Sequence, residues 1–397
     1  MKYKPLEKIF YSDKNNYETE YNNRFNSVST IKFNFDIFEN QAFLVMVPEL
    51  FDNMYKIGDL NTKLTSLTDM LPPIALNQYV KRCLIEEIVL TNEIEGVIST
   101  RQDIYNALEA TGYSDKHKRL FGLVKRYEKL TDNVDLNLKT CLDIRTVYND
   151  IALQEVIEND PNDAPDGLYF RKNSVKVVST FGKAIHAGVF PEEEINNCMT
   201  EALGILNDKN TNILLRTAIF HYLFGYIHPF YDGNGRTNRF ISSYLLSRNF
   251  NKLSGYRLAY TIKEDIDSYY KAFKYSNNKK NKGDLTPFVI LFFEILSDLF
   301  TKLNDSISKR LDKLSYCADM SDRLFDNEKQ RQIAYVLFQN TIFGSRGMPI
   351  DLLVSASGQT RYLVDKTLKH LKSLDVLYIT KDSKKPLYDF DKTKFDL

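Results

Sequence analysis

Residues 228–239 read HPFYDGNGRTNR. Asp-Gly and Asn-Gly pairs are hairpin turn signals, and on that ground alone Asp232 to Gly235 would link two strands. The flanks decide against it. Arg236 to Phe250 carries apolar residues at 240, 241, 244 and 245, and the preceding run, Ile213 to Phe224, is also helically spaced. The stretch is therefore a loop between two helices, with its glycines opening the second. Successive backbone N–H groups at such an entrance form a concave nest, and the helix N-terminus adds partial positive charge, a setting suited to phosphate. Arg236 and Arg239 are three apart, on one face of the first turn. Two guanidiniums there are unfavourable unless an anion sits between them. Asp232 is a hard oxygen donor suited to Mg²⁺ bridging phosphates. His228 is the side chain best matched to proton transfer near neutral pH.

The rest of the composition is ordinary. The chain has 397 residues, 43% apolar and 26% charged, with a net charge of +1. That balance argues against a chain-wide electrostatic footprint for nucleic acid or membrane. Cys83, Cys141, Cys198 and Cys317 are scattered and form no CxxC pair, which fits a reduced compartment and neither a disulfide framework nor a zinc site. Met1 to Tyr17 lacks the apolar run of a signal peptide. Phe288 to Phe300, broken by Glu294 and Asp298, reads as a buried helix rather than a membrane span. A cytoplasmic location is expected.

Along the chain, residues 1–30 are rich in Asn, Tyr, Lys and Asp and read as an irregular arm. Apolar residues at 31, 33, 35 and 37 predict a short strand. Pro72-Pro73 marks a break, and Tyr79 to Ile94 is helical, ending at Gly96. To about residue 315 the chain reads as helices of 10 to 20 residues. Between Asn173 and Phe190 a β-hairpin is expected instead, with Gly182 at its turn. Beyond residue 325, helices over 330–339 and 348–356, a turn at 357–359 and a third helix capped by Thr360 precede two strand-like runs, 376–380 and 387–390. That order resembles a winged helix-turn-helix domain. The expected spans are an N-terminal arm at 1–70, a catalytic domain at 71–315 and the winged unit at 325–397.

His, Pro-Phe, an acid, Gly-Asn-Gly-Arg and a second Arg three later together resemble the full signature of the Fic family, with similarity over roughly residues 70–300. The resemblance implies a mostly α protein: a Fic helical core with a small β-hairpin flap, plus the C-terminal winged helix-turn-helix domain. It implies transfer of AMP from ATP, with Mg²⁺, onto Ser, Thr or Tyr hydroxyls of proteins, the chain itself included. His228 would be the general base and Asp232 would hold Mg²⁺. Gly233, Asn234 and Gly235 would form the anion hole, while Arg236 and Arg239 would grip the β- and γ-phosphates. Tyr269, Tyr270 and Asn277 resemble the family's adenine pocket, with plain core packing as the other open reading. The hairpin resembles the flap that docks target chains by strand addition, with Ser179 to Val189 making it longer than usual.

Upstream stands Thr91-Asn-Glu-Ile-Glu95-Gly96. A glutamate in the last helical turn, with glycine behind it, opposes the helix dipole unless a cation is near. The run resembles the Fic inhibitory signature, by which Glu95 pairs with Arg239, Thr91 steadies the helix and Gly96 ends it; removal of AMP is left open. His221 and His228 are seven apart, too far to share an ion. From Thr341 onward ten Lys/Arg stand against seven Asp/Glu, compatible with weak DNA contact or protein docking. Two alternatives stay open: a DNA-binding regulator whose Fic core senses nucleotide, and a Fic enzyme using another nucleotide donor such as UTP. ATP and hydroxyl-bearing proteins are the expected partners, no membrane is, and a homodimer is left open.

Overall fold

The computed structural model describes residues 3–110, 120–131, 135–178, 184–382 and 385–395. The chain is mostly helical with small antiparallel sheets. It begins with α1 (Leu6–Ser12), α2 (Tyr17–Phe25), β1 (Thr30–Ile37), β2 (Asn40–Val45), α3 (Pro48–Asp69) and α4 (Pro73–Ile94). Then come α5 (Arg101–Glu109), α6 (Phe121–Glu128), α7 (Cys141–Tyr148), α8 (Gln154–Asn159), β3 (Lys176–Val178), β4 (Ala184–Ala187) and α9 (Glu192–Asn207). The central helices are α10 (Ile213–Ile227), α11 (Asn234–Asn249), α12 (Leu258–Glu264), α13 (Ile266–Ser276) and α14 (Thr286–Leu324). The chain closes with α15 (Glu328–Phe343), β5 (Met348–Pro349), α16 (Ile350–Ser357), α17 (Arg361–Ser373), β6 (Leu377–Asp382) and β7 (Lys385–Phe390).

Two compact units form, residues 1–61 with 85–300, and 62–84 with 301–397. The spans expected from the sequence are linear. These units are not, because their boundaries fall inside α3, α4 and α14.

The first unit is built on α10 and α11. Helix α10 is buried nearly all round, as a central helix must be. The N-terminal residues are not an irregular arm. They form α1 and α2, whose Leu6, Ile9 and Tyr17 pack against Phe43 and Val45. Helices this short owe their order to such packing rather than to intrinsic propensity, so a polar sequence concealed them. Asp284, fully buried, accepts hydrogen bonds from Tyr3 Oη (2.7 Å) and the Thr286 N–H (3.0 Å), tying the N-terminus down. In β1 the expected alternation holds, with Phe33, Phe35 and Ile37 buried. Its partner β2 was not expected from the sequence. Ile37 pairs with Asn40 across a two-residue turn whose first residue is Phe38 at φ +56°. No glycine or asparagine advertises that left-handed position.

The hairpin β3–β4 is antiparallel, pairing Lys176 with Ala187 and Val177 with His186. Phe181 and Gly182, the expected turn, lie outside the described residues. Helix α14 is a single 39-residue helix, where helices of 10 to 20 residues and an end near 315 were expected. From Phe288 to Phe343 there is neither Gly nor Pro to stop it.

In the second unit, α15, α16 and α17 pack with a three-stranded sheet of order β5-β7-β6. Gly358 adopts φ +64° between α16 and α17, and Thr360 caps α17 by accepting from the Leu363 N–H at 3.3 Å. Replacing Thr360 with Ala should cost about 1 kcal/mol, to be read as a lower denaturation midpoint at unchanged m-value.

Candidate functional site

The loop between α10 and α11 is shaped by two left-handed residues. His228 ends α10 at φ +52°, ψ +62°, and Gly233 precedes α11 at φ +78°. The first is unusual, since a non-glycine residue in that region is strained by about 1–3 kcal/mol. Phe230, fully buried, anchors the loop by stacking on Tyr148 with ring centroids 3.7 Å apart. The Asn234 side chain donates to the Phe230 carbonyl (2.8 Å) and accepts from the Phe230 N–H (3.0 Å), closing the loop on itself. Asn234 thus acts through its side chain as a brace. The N-cap residue of α11, Gly233, has no side chain to offer its first-turn N–H groups, a setting suited to an anion. Any Cβ at Gly233 would come within 2.5 Å of Ala152 Cβ and 3.1 Å of Tyr148 Cε2.

The anion at the helix entrance is a carboxylate of the protein. Helix α4 ends in a Schellman turn: the Val97 N–H donates to the Asn92 carbonyl (2.9 Å) and the Gly96 N–H to Glu93 (3.1 Å), with Gly96 at φ +74°. That turn delivers Glu95 to Arg239 Nη1 at 2.8 Å. A Cβ on Gly235 would collide with Glu95 Oε1 and Arg239 Nη1, so glycine is required for the carboxylate to lie against the first turn of α11. Arg239 is 1% exposed. It also donates from Nε to Thr91 Oγ1 (2.8 Å) and from Nη2 to the Thr91 carbonyl (2.9 Å). Thr91 therefore touches the arginine directly. Burial acts to raise the Glu95 carboxyl, but the charge and hydrogen bond of Arg239, helped by Arg236 and His228, hold it below the ordinary carboxylate value.

Arg236 faces a different partner. It is 1% exposed and ion-paired with Glu155 of α8, itself buried, and Asp232 Oδ2 lies 3.4 Å from its Nη2. The sequence suggests one anion between the two arginines; the structure gives each its own carboxylate. Nothing in the sequence marks Glu155, one of several acidic residues in its stretch, 81 residues upstream of Arg236. Among the described residues the buried Arg236 Nε has no hydrogen-bond partner.

The other expected residues divide. Tyr269 is 5% exposed and its Oη lies 2.7 Å from His221 Nε2, while His221 Nδ1 lies 2.7 Å from Ser242 Oγ. Burial, with Arg239 nearby, pushes His221 down to about 3, so it stays neutral. Asn277 Oδ1 accepts from Tyr222 Oη at 2.7 Å. Tyr269 and Asn277 are thus both engaged in internal contacts. Tyr270 is half-buried, beside Tyr269 at 5.6 Å between ring centroids. Two further residues carried no signal in the sequence: Arg171, bonded to the His228 carbonyl at 3.0 Å, and Glu87.

Glu87 shares the α4 face of Thr91 and Glu95, four and eight residues on. Fully buried, it accepts from the Ala259 (2.7 Å) and Tyr260 (3.2 Å) N–H groups at the start of α12. Beside it Glu86 pairs with Arg257 at 2.6 Å. Burial pushes the Glu87 carboxyl up to about 7, against those N–H groups and the charges of Arg239 and Arg257. In the unfolded chain it titrates near 4.5, so between the two values only the folded state keeps the proton. Its contribution to stability therefore falls as pH rises from 4.5 to about 7, by about 1.4 kcal/mol for each pH unit crossed. Denaturation across that window should show the decline, and Glu87→Gln should flatten it.

Comparison with known proteins gives this geometry a context. Residues 143–246 match the Fic/DOC family model. Over 228 residues the chain is 28% identical to the protein adenylyltransferase Fic of Drosophila sechellia, covering 54% of this chain and 41% of that protein. For the protein adenylyltransferase Fic of Drosophila ananassae the identity is 27% over 225 residues, 54% and 40% of the two chains. The chain thus spans less than half the length of these curated relatives. The crystal structure of a Fic family protein from Desulfovibrio desulfuricans G20 superposes with a TM-score of 0.51 at 18% identity, over 87% of this chain and 97% of that one. The fold is shared, and residues 143–246 are similar to the Fic/DOC family.

Proposed function

We propose that this chain is a Fic/DOC protein adenylyltransferase that moves AMP from ATP onto Ser, Thr or Tyr hydroxyls of proteins, its own included, and that Glu95 holds it back. One observation carries the reading: the Glu95 carboxylate lies against Gly235 at the entrance of α11 and on Arg239, and in this reading it takes the place of a phosphate oxygen. The names of the Drosophila relatives agree with it.

In this mechanism the His228 imidazole takes the proton of the target hydroxyl. The hydroxyl oxygen bonds to the α-phosphorus, the bond to the bridging oxygen breaks, and pyrophosphate leaves. The α11 N–H groups and Arg236 stabilise the charge on the phosphates, and Arg239 seats the γ-phosphate once Glu95 gives way. Among the described residues no group of three or more His, Cys, Asp or Glu converges. Asp232, with its side chain 39% exposed, supplies one carboxylate, which fits Mg²⁺ held largely by a substrate's phosphates. When bound, the ion would neutralise phosphate charge. The backbone edge of β3–β4 would receive an extended target segment.

The DNA-binding alternative finds less support. Arg361, at the start of α17, is already paired with Asp351 at 2.5 Å and Asp365 at 3.5 Å. The nucleotide base is a separate question, because a phosphate grip ignores it.

Glu95→Gly should raise incorporation of label from α-labelled ATP by about 10- to 100-fold, the equivalent of a charged hydrogen bond worth about 1.5–3 kcal/mol. His228→Ala in that background should remove it by about 10²–10⁴-fold. Intact-mass measurement reads AMP addition, with UTP in a parallel arm. No transfer from either nucleotide by Glu95→Gly would reject the reading.

A further inference from the structure

Arg171 has no exposed surface, yet nothing in the phosphate site requires it. Its guanidinium donates to three backbone carbonyls: Nε to His228 (3.0 Å), Nη1 to Asn173 (2.6 Å) and Nη2 to Val189 (2.7 Å). Its own N–H donates to the Pro229 carbonyl at 3.2 Å. Asn173 and Val189 flank the two strands of the β3–β4 hairpin, one on each side. Two more bonds lace the same place: the Val189 N–H to the Ile227 carbonyl (3.0 Å) and the Asn173 N–H to Tyr231 Oη (3.0 Å). One side chain therefore joins both feet of the hairpin to the loop that begins at His228.

The choice of arginine has a physical reason. Among the described residues no carboxylate pairs with Arg171, and burial pushes its guanidinium below the ordinary value. A buried charge balanced only by carbonyl dipoles is costly. Only a planar fork reaches three divergent acceptors at once, and a lysine ammonium offers a single point. The carbonyl it fixes belongs to the residue at φ +52°, so the fork also stabilises the left-handed turn that sets the direction of the imidazole. Gly188 allows the close approach. A Cβ there would come within 2.5 Å of Arg171 Nη2 and 3.1 Å of His228 Cβ.

We propose that Arg171 is a positioning residue that locks His228 in register with the β3–β4 hairpin, so that the surface offered to a target chain and the base that deprotonates it move as one body. This rests on the reading of His228 as the base and of the hairpin as the docking edge.

The test compares Arg171→Lys, Arg171→Met and Gly188→Ala in the Glu95→Gly background. Each should slow self-modification at saturating ATP by at least tenfold while KM for ATP stays within twofold, and should shift the acidic limb of the pH–rate profile. Lysine should not rescue, since it keeps the charge and loses the fork. Without nucleotide, the His228 imidazole resonance and its titration should shift in all three variants, while that of buried His221 stays put. Should an Arg171 variant fail to fold, as thermal melting would show, Gly188→Ala carries the test. An unmoved His228 titration, rescue by lysine, or loss of rate only in proportion to the folded fraction would overturn the proposal. If Glu95→Gly itself transfers no AMP, the functional reading falls, and the imidazole titration still decides the clamp.

Discussion

A guanidinium with 1% of its surface exposed must be matched by nearby acceptors, and around Arg239 those acceptors come from one helix end. Glu95 supplies the charge, and Thr91 supplies a hydroxyl and a carbonyl. That carbonyl belongs to the last turn of α4, where helical groups lack partners and a cation is favoured. The entrance of α11 gains a carboxylate and the exit of α4 gains an arginine. Two unfavourable helix ends neutralise each other. Removing Glu95 leaves a buried guanidinium without its counter-charge, so the position of α4 and the state of the α11 entrance are one constraint.

The same logic governs Arg236. Its charge is met by Glu155 and, at longer range, by Asp232. Both arginines of the motif are already engaged, and under the proposed function an entering polyphosphate would have to compete with protein carboxylates. A charge-assisted fork on a carboxylate is strong enough to compete with a phosphate oxygen. The Nε of Arg236, without a partner among the described residues, is the donor that such a competitor would find unused. Arg171 contrasts with both, because its charge meets only carbonyls, which suits a structural joint rather than a ligand grip.

How much of this was legible follows from the range of each interaction. The loop between α10 and α11 could be read because Gly233, Asn234 and Gly235 impose local backbone geometry and the flanking apolar periods are helical. Thr360 and Gly358 are local signals of the same kind, and both stand where expected. Strand β2 escaped because its turn uses Phe38, whose N–H donates to the Tyr226 hydroxyl at 2.8 Å. Helices α1 and α2 escaped because their order comes from tertiary contacts, packing against Phe43 and Val45 and bonds to residues more than 260 positions away, Tyr3 with Asp284 and Tyr17 with the Lys280 carbonyl.

The sequence by itself determined the glycine-rich loop between two helices, the helical character of most of the chain, and the identity of Glu95 as a carboxylate needing a cation. Each depends on residues within a few turns of one another, where backbone preference and dipole sign act directly. Only the tertiary structure decided that Glu155 meets Arg236, that Glu87 caps α12, and that Arg171 ties the hairpin to His228. Those contacts join residues 57 to 172 positions apart, and their strength comes from burial, which exists only once the chain has folded.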